Sequence, residues 1–116
     1  MGVSVNIFFI YQILNEVLEG RVHYIVEDSG RAVPPFIVYQ EINKRSAKYH
    51  DDHAFLKVST IQISLVTDGK NIELEKKLEN KLTDSGIDYQ MVSEYNLGRG
   101  IYRIYEIKME EFKYEQ

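Results

Sequence analysis

The feature that most constrains the fold is a leucine stripe in the second half of the chain. Leu74, Leu78 and Leu82 follow one another at intervals of four residues, which places them on one face of an α-helix. Asn71 precedes the stripe as a candidate N-cap, and Gly86 follows it as a candidate left-handed C-cap residue. Because the stripe is narrow, the helix is expected to lie on a sheet and to expose its other face to water.

A second helix is predicted over residues 6–19, where apolar residues recur with helical spacing and Gly20 ends the pattern. The other apolar segments are short or alternate with polar residues, as is typical of strands. They cover residues 22–26, 36–44 and 55–67 and the two halves of a hairpin over 88–112. Polar loops are predicted over 27–33 and 45–54, and a bulge near Ser59 and Thr60, where the parity of the apolar residues changes.

The order of these segments is α-β-β-β-α-β-β, with short connections between most strands. It predicts a single α+β domain over residues 1–116, in which two helices pack on one face of a mainly antiparallel, mixed sheet of about five strands. The residues expected in the core are Leu14, Val38, Ile61, Ile63, Leu65, Leu74, Leu78 and Leu82.

Composition excludes several classes of function. The chain has 14 Lys and Arg against 18 Asp and Glu, a net charge of −4, whereas a general nucleic-acid binder needs a basic surface. It has no cysteine, which removes disulfide frameworks, cysteine-rich zinc sites and thiol catalysis. No segment approaches the roughly 20 apolar residues of a membrane span, and the first residues lack the basic region of a signal peptide. We therefore expect a soluble, unprocessed protein.

The densest group of chemically versatile side chains is the run His50, Asp51, Asp52 and His53. Imidazoles and carboxylates are good metal ligands. However, neighbouring residues of an extended loop point in different directions, and no further pair of ligands stands at a recurring metal spacing. We expect a solvated loop with both histidines exposed, no metal and no cofactor. A small metal-dependent hydrolase that uses this loop remains the alternative from another class.

The rest of the chain offers no catalytic motif. His23 lies in an apolar strand, where a packed histidine is the expected role. There is no nucleophile elbow, no phosphate-binding loop and no metalloprotease motif, and a hairpin turn accounts for Gly98 and Gly100. The residues therefore favour a protein that is not an enzyme.

The chain resembles one family in the order and spacing of its segments. An apolar N-terminal helix and a short strand lead to VPPFIVY at 33–39. Paired aspartates then precede the strand IQISLVT at 61–67. A helix rich in Glu, Lys and Leu ends in SGI at 85–87, and a tyrosine-rich hairpin closes the chain. In this order the chain resembles the small tail-completion and tail-terminator proteins, which join head and tail in tailed phages and prophages of Gram-positive bacteria.

The resemblance implies a structural protein of the virion. Such proteins form rings, usually hexameric, at the head-proximal end of the tail, between the tail tube protein and the head connector or stopper protein. It further implies location in the tail or neck of the virion, host cytoplasm during assembly, no cofactor, no membrane, and DNA only passing through the ring. The negative charge fits a bore that lets DNA slide. Another neck or head-completion protein, a minor capsid protein and a host-directed binding module remain alternatives.

If the chain forms a ring, like-charged subunits must associate through local contacts, and we expect a monomer or weak oligomer in solution. The predicted contact is heterologous, because only a head-to-tail contact closes a ring of more than two subunits. One side would be the basic group Lys44, Arg45 and Lys48. The other side would be the hairpin over 88–112, with the candidates Tyr95, Tyr102, Tyr105, Glu106, Glu110 and Glu111.

Overall fold

A computed structural model describes residues 6–25, 32–48 and 54–114; for 44–48, 54–56 and 111–114 the description is confined to the backbone. The elements follow the predicted order. They are α1 (Ile7–Val17), β1 (Val22–Tyr24), β2 (Phe36–Lys48), β3 (Ala54–Thr67), α2 (Ile72–Asp84), β4 (Tyr89–Asn96) and β5 (Ile101–Tyr114).

The five strands form one sheet in the order β1-β2-β3-β5-β4. Strand β1 runs parallel to β2, and every other neighbouring pair is antiparallel. The predicted class, an α+β fold with a mixed and mainly antiparallel sheet, is confirmed.

The ends of α2 follow from its capping residues. The Asn71 side chain accepts a hydrogen bond from the Leu74 amide at 3.1 Å, which satisfies one of the free amides of the first turn. At the other end Gly86 has a φ of 77°, and the Ile87 amide donates to the Leu82 carbonyl at 2.9 Å. This 6→1 bond forms a Schellman motif, and the positive φ confirms the left-handed residue predicted at Gly86.

Helix α1 is shorter than predicted, and Asn6 caps its N-terminus. Asn6 accepts from the Phe9 amide at 2.8 Å, and the helix ends at Val17. The following turn places Gly20 at a φ of 75°, where the Asn15 side chain accepts from its amide at 2.9 Å. An ion pair between Glu16 and Lys81 joins α1 to α2.

The core lies between the two helices and one face of the sheet. Its central side chains, all with at most 1% exposure, are Ile10, Leu14, Ile37, Ile61, Ile63, Leu65, Leu78, Leu82, Tyr105 and Ile107. Two predicted core residues are only partly buried. Val38 alternates with Ile37 and so lies on the face without helices, and Leu74 lies in the first turn of α2, at the margin of the core.

The predicted bulge lies in the neighbouring strand. β3 pairs with β5 without interruption, so Val58 and Ile61 occupy opposite faces by simple alternation. The register shift instead falls between Glu41 and Asn43 of β2. The extra residue, Ile42, is 45% exposed.

The predicted loop over 45–54 is wrong at both ends, because β2 continues to Lys48 and β3 begins at Ala54. Arg45 pairs with Val58 and Lys48 with Phe55. Backbone pairing with β3, which is more apolar, therefore keeps the mostly polar end of β2 in a strand conformation. We call the backbone segments 43–48, 54–60 and 108–114 the arm. It extends the sheet, and the described chain measures 51 × 29 × 24 Å.

Candidate assembly surface

A group of charged side chains joins α2 to the hairpin of β4 and β5. We call Lys70, Glu75, Glu79, Glu94 and Arg103 the charged cluster. Arg103, on β5, donates from Nη1 to Glu94 at 3.0 Å and from Nη2 to Glu79 at 3.1 Å. Its Nε donates to the Tyr105 hydroxyl at 2.7 Å, and that hydroxyl donates to Glu79 Oε2 at 2.6 Å. One guanidinium therefore bridges the edge strand β4, its own strand and the helix.

Lys70 completes the cluster just before the N-terminus of α2. Its Nζ lies 2.9 Å from Glu75 Oε2 and 2.9 Å from Glu94 Oε1. The Glu75 side chain is only 7% exposed, and Arg103 Nε also lies 3.7 Å from its Oε1. A carboxylate this deeply buried needs such partners, because an unpaired buried charge is costly.

The pKa shifts in the cluster follow from these contacts. Hydrogen bonds from Lys70 and then Arg103 hold the pKa of Glu94 below its usual value, and the bonds to Glu94 and Glu75 raise the pKa of Lys70. Burial, followed by the bond to Glu79, raises the pKa of Tyr105. The donors and acceptors of the charged cluster therefore bond to one another, and these bonds hold α2 on the sheet.

A second candidate surface is the arm, whose two outer edges are open in the described part of the chain. The described residues of β1 pair with β2 only from Ile37 to Tyr39. On the opposite side, β4 pairs with β5 only between Ile101 and Ile107. From Glu41 to Lys48 on β2, and from Lys108 to Tyr114 on β5, no described strand continues the sheet.

The predicted interface residues divide between these two edges. Lys44, Arg45 and Lys48 lie on the β2 edge, while Glu110 and Glu111 lie on the β5 edge, with β3 between them. The two predicted charge groups therefore lie on opposite sides of one three-stranded segment. Heterologous contact between two copies requires that placement.

Glu106 does not lie on an open edge. It is flanked by Gln62 of β3 and Gln90 of β4, and it belongs to a polar row that crosses four strands on the face without helices. The row continues to Gln40, which donates to the Gln62 side chain at 3.1 Å. Glu106 is thus better placed to face the open side of the sheet than to meet a neighbouring edge.

The three predicted interface tyrosines have different positions. Tyr105 is fully buried, so it is removed from the interface prediction. Tyr95 and Tyr102 stack with ring centroids 5.5 Å apart and an interplanar angle of 2°, and Tyr95 is 44% exposed. They lie near the turn of the hairpin, at the opposite end of β5 from the arm. The sequence analysis therefore assigned the tyrosines and the charged residues to one interface, whereas the structure places them on two separate surfaces, the hairpin turn and the arm.

An exposed apolar patch lies beside β1. Phe8, Tyr11, Tyr24 and Ile25 are all exposed. The rings of Tyr11 and Tyr24 lie 6.4 Å and 5.0 Å from that of Tyr39. The available signal was the pair of phenylalanines at positions 8 and 9, which widens the apolar face of α1 beyond one stripe. The charged cluster had no such signal, because Glu79 and Arg103 are 24 residues apart.

The predicted run from His50 to His53 lies outside the described residues, so its expected exposure stays a prediction. Within residues 6–25, 32–48 and 54–114, no group of three His, Cys, Asp or Glu residues is arranged to hold a metal ion. His23 is half-buried, and its ring is steeply inclined to that of Phe36, with the two ring centroids 6.0 Å apart. None of the helices in this part of the chain combines the length and apolar character needed to cross a bilayer.

Comparison with known proteins adds no family assignment. No protein-family model matches the chain, and no curated protein sequence matches it.

Proposed function

We propose that the chain is a non-enzymatic assembly protein of a tailed phage or prophage, a tail terminator that forms a ring at the head-proximal end of the tail. In this role its partners are further copies of itself, the tail tube protein below and the head connector or stopper protein above. The sequence resemblance supplies the family, and the architecture of the arm supports self-assembly.

One observation carries the proposal: in the described part of the chain the arm has two open edges, a basic one on β2 and one on β5 that combines an acidic pair with Lys108 and Lys113. Lys44, Arg45 and Lys48 lie on one edge, and Glu110 and Glu111 lie on the other. Heterologous contacts of this kind repeat around an axis and close into a ring when the rotation allows it. Any attraction between the basic group and the acidic pair is local, and it acts against the long-range repulsion between copies that each have a net charge of −4.

The face of the sheet without helices supports passage of DNA through such a ring. Its central row contains the amides Gln40, Gln62 and Gln90 and the single carboxylate Glu106. Further along this face Lys108 donates to the Thr60 hydroxyl at 3.0 Å. Because the charges on this face are few and of mixed sign, contact with DNA would release few counterions from it. Such a face is not expected to bind DNA tightly. Under the proposal this face lines the bore.

The functional test is deletion of the gene from the phage or prophage that encodes the chain. Electron micrographs of the induced lysate should show tails of uncontrolled length that are not joined to heads, and expression of the wild-type chain from a plasmid should restore uniform tails. Normal tail lengths with unjoined heads would instead assign the chain to head completion. Normal virions would contradict an assembly role altogether.

The alternative hydrolase is tested on the purified protein. Under the proposal, elemental analysis finds no bound metal after dialysis against chelator-treated buffer, and replacing His50, Asp51, Asp52 and His53 together by alanine leaves tail termination intact. Stoichiometric metal that disappears from the quadruple variant would favour the hydrolase.

A further inference from the structure

The outer strand β4 contributes no buried side chain to the fold. Its first residue, Tyr89, is partly buried, and every residue from Gln90 to Arg99 is exposed. We call residues 88–99 the strap. Because apolar burial is the dominant force that holds packed elements together, a strand without it is held by its backbone pairing and by contacts at the surface, and it opens more easily than the core.

The strap lies between two fixed points of the chain. Before it, Ile87 is 4% exposed, and its amide donates to the Leu82 carbonyl at 2.9 Å. After it, Gly100 is buried, and a Cβ there would lie 2.9 Å from the Thr67 carbonyl oxygen. Both ends of the strap are therefore anchored in the core, and the segment between them is free to move without displacing it.

The backbone pairing of the strap is one-sided and interrupted. In the described part of the chain β4 is the outermost strand, and its pairing with β5 shifts register between Met91 and Ser93. The shift divides the ladder into two short stretches, each with a single partner strand. The central strand β3, in contrast, pairs with β2 on one side and with β5 on the other, so its hydrogen bonds open only with the rest of the sheet.

The charged cluster stays paired without the strap. Glu94 accepts hydrogen bonds from Arg103 at 3.0 Å and from Lys70 at 2.9 Å. When Glu94 moves away, Arg103 keeps its bond to Glu79 at 3.1 Å. Lys70 keeps its ion pair with Glu75 at 2.9 Å. Opening therefore leaves neither cation without a partner, and it avoids the large cost of an unpaired charge near the core.

We propose that the strap opens as a unit while the two helices and strands β1, β2, β3 and β5 stay folded. Opening uncovers the edge of β5 from Ile101 to Ile107, which β4 covers in the closed form. This stretch continues into residues 108–114, so the free edge of β5 doubles to the 14 residues of the whole strand. The backbone groups of a free edge are those that an added strand pairs with. The strap thus sets how much of β5 is open to pairing, whether or not the chain has a role in phage tails.

Native-state hydrogen exchange of the wild-type chain, followed by NMR, tests the opening along β5. Over Ile101–Ile107 this strand has a partner on each side, so successive amides point in turn to β3 and to β4. The amides that point to β4 should exchange about 100-fold faster than those that point to β3, because opening of the strap exposes the first set alone. Equal rates for the two sets would overturn the proposal.

Replacing Glu94 by glutamine should loosen the strap. The amides of β5 that point to β4 should then exchange roughly two- to fivefold faster, as expected for weakening a partly exposed charge pair, and those that point to β3 should not change. Glu41→Gln is the matched control, since it removes an exposed carboxylate from β2, and it should change neither set. Equal acceleration of both sets by Glu94→Gln would contradict separate opening of the strap.

A disulfide across the hairpin should have the opposite effect. Tyr95 and Tyr102 lie opposite each other in the register, at a Cα separation of about 5 Å that a disulfide spans. In oxidised Tyr95→Cys/Tyr102→Cys the amides that point to β4 should slow to the rates of those that point to β3, and reduction of the same variant should restore the difference. A fast set that persists in the oxidised form would show that the strap does not open as a unit.

Discussion

The Tyr105 hydroxyl lies 2.6 Å from Glu79 Oε2 and connects the middle of β5 to α2 across 26 residues of sequence. The same hydroxyl accepts a hydrogen bond from Arg103 Nε at 2.7 Å. The ring itself is fully buried in the core and meets the ring of Tyr89 edge to face at 5.7 Å. One side chain thus contributes an apolar body to the core and a polar tip to the charged cluster.

Replacing Tyr105 by phenylalanine should lower the free energy of unfolding by about 1–3 kcal/mol, because it keeps the ring but removes the hydroxyl that donates to Glu79 and accepts from Arg103 Nε. Urea unfolding followed by circular dichroism measures the loss. Tyr102→Phe is the matched control on the same strand, since its hydroxyl makes no hydrogen bond to the described residues, and it should change stability by under 0.5 kcal/mol. Equal losses in the two variants would contradict the role of the hydroxyl.

Stability should be nearly constant between about pH 5 and pH 9 and fall on both sides. The pKa of Tyr105 is raised, by burial and then by Glu79, and that of Lys70 is raised by Glu94 and Glu75. A raised pKa in the folded state contributes stability that is complete below the unfolded value and is lost as pH rises, here above about pH 10. The pKa of Glu94 is lowered, first by Lys70, so its contribution is present above about pH 4 and is lost on further acidification.

The midpoint of urea unfolding, measured from pH 3 to pH 11, tests this profile. Tyr105→Phe should flatten the alkaline decline, and Glu94→Gln should flatten the acid decline, because each variant lacks one of the linked groups. An alkaline decline of unchanged steepness in Tyr105→Phe would show that other groups cause it.

Leu78→Ala should cost about 2–5 kcal/mol, as is usual for truncating a leucine that is fully enclosed. Leu78 has 0% exposure and lies at the centre of the stripe that packs α2 on the sheet. Leu97→Ala is the control, because Leu97 is 58% exposed in the hairpin turn. Chemical denaturation of both variants should give a clear difference; a loss below 0.5 kcal/mol for Leu78→Ala would contradict its place in the core.

Local sequence signals predicted the helices, their caps and the hairpin turn. Leu78 and Leu82 are buried, and Asn71 and Gly86 form the caps expected of them, because periodicity and capping act within a few residues. The extension of β2 to Lys48 was missed since a charged edge strand has the composition of a loop and owes its conformation to pairing with β3. The burial of Tyr105 was missed for a related reason: its partner Glu79 is identified only once the helix lies on the sheet.

Gly100→Ala should destabilise the protein by about 1–3 kcal/mol through overpacking. A Cβ at this position would lie 2.9 Å from the Thr67 carbonyl oxygen and 3.1 Å from Val66 Cγ1. Because the first of these atoms belongs to the backbone of the central strand β3, it cannot move aside cheaply. Gly69→Ala is the matched control, as its Cβ would meet no atom within 4 Å. Thermal unfolding of the two variants should separate them, and equal melting temperatures would contradict the close approach at Gly100.

Reversing the basic edge of the arm should block assembly and leave the monomer folded. In Lys44→Glu/Arg45→Glu/Lys48→Glu the β2 edge becomes acidic, so it repels the edge that contains Glu110 and Glu111. When it is expressed in the deletion strain, the triple variant should form no ring on the tail and should fail to restore uniform tails in electron micrographs, while the circular dichroism of the purified chain matches the wild type. Adding Glu110→Lys and Glu111→Lys to the same chain restores opposite charges across the contact and should restore the ring. Glu106→Lys in place of these two changes should not restore it, because Glu106 lies between β3 and β4. Rings formed by the triple variant alone, or rescue by Glu106→Lys, would show that the subunits meet through a different surface.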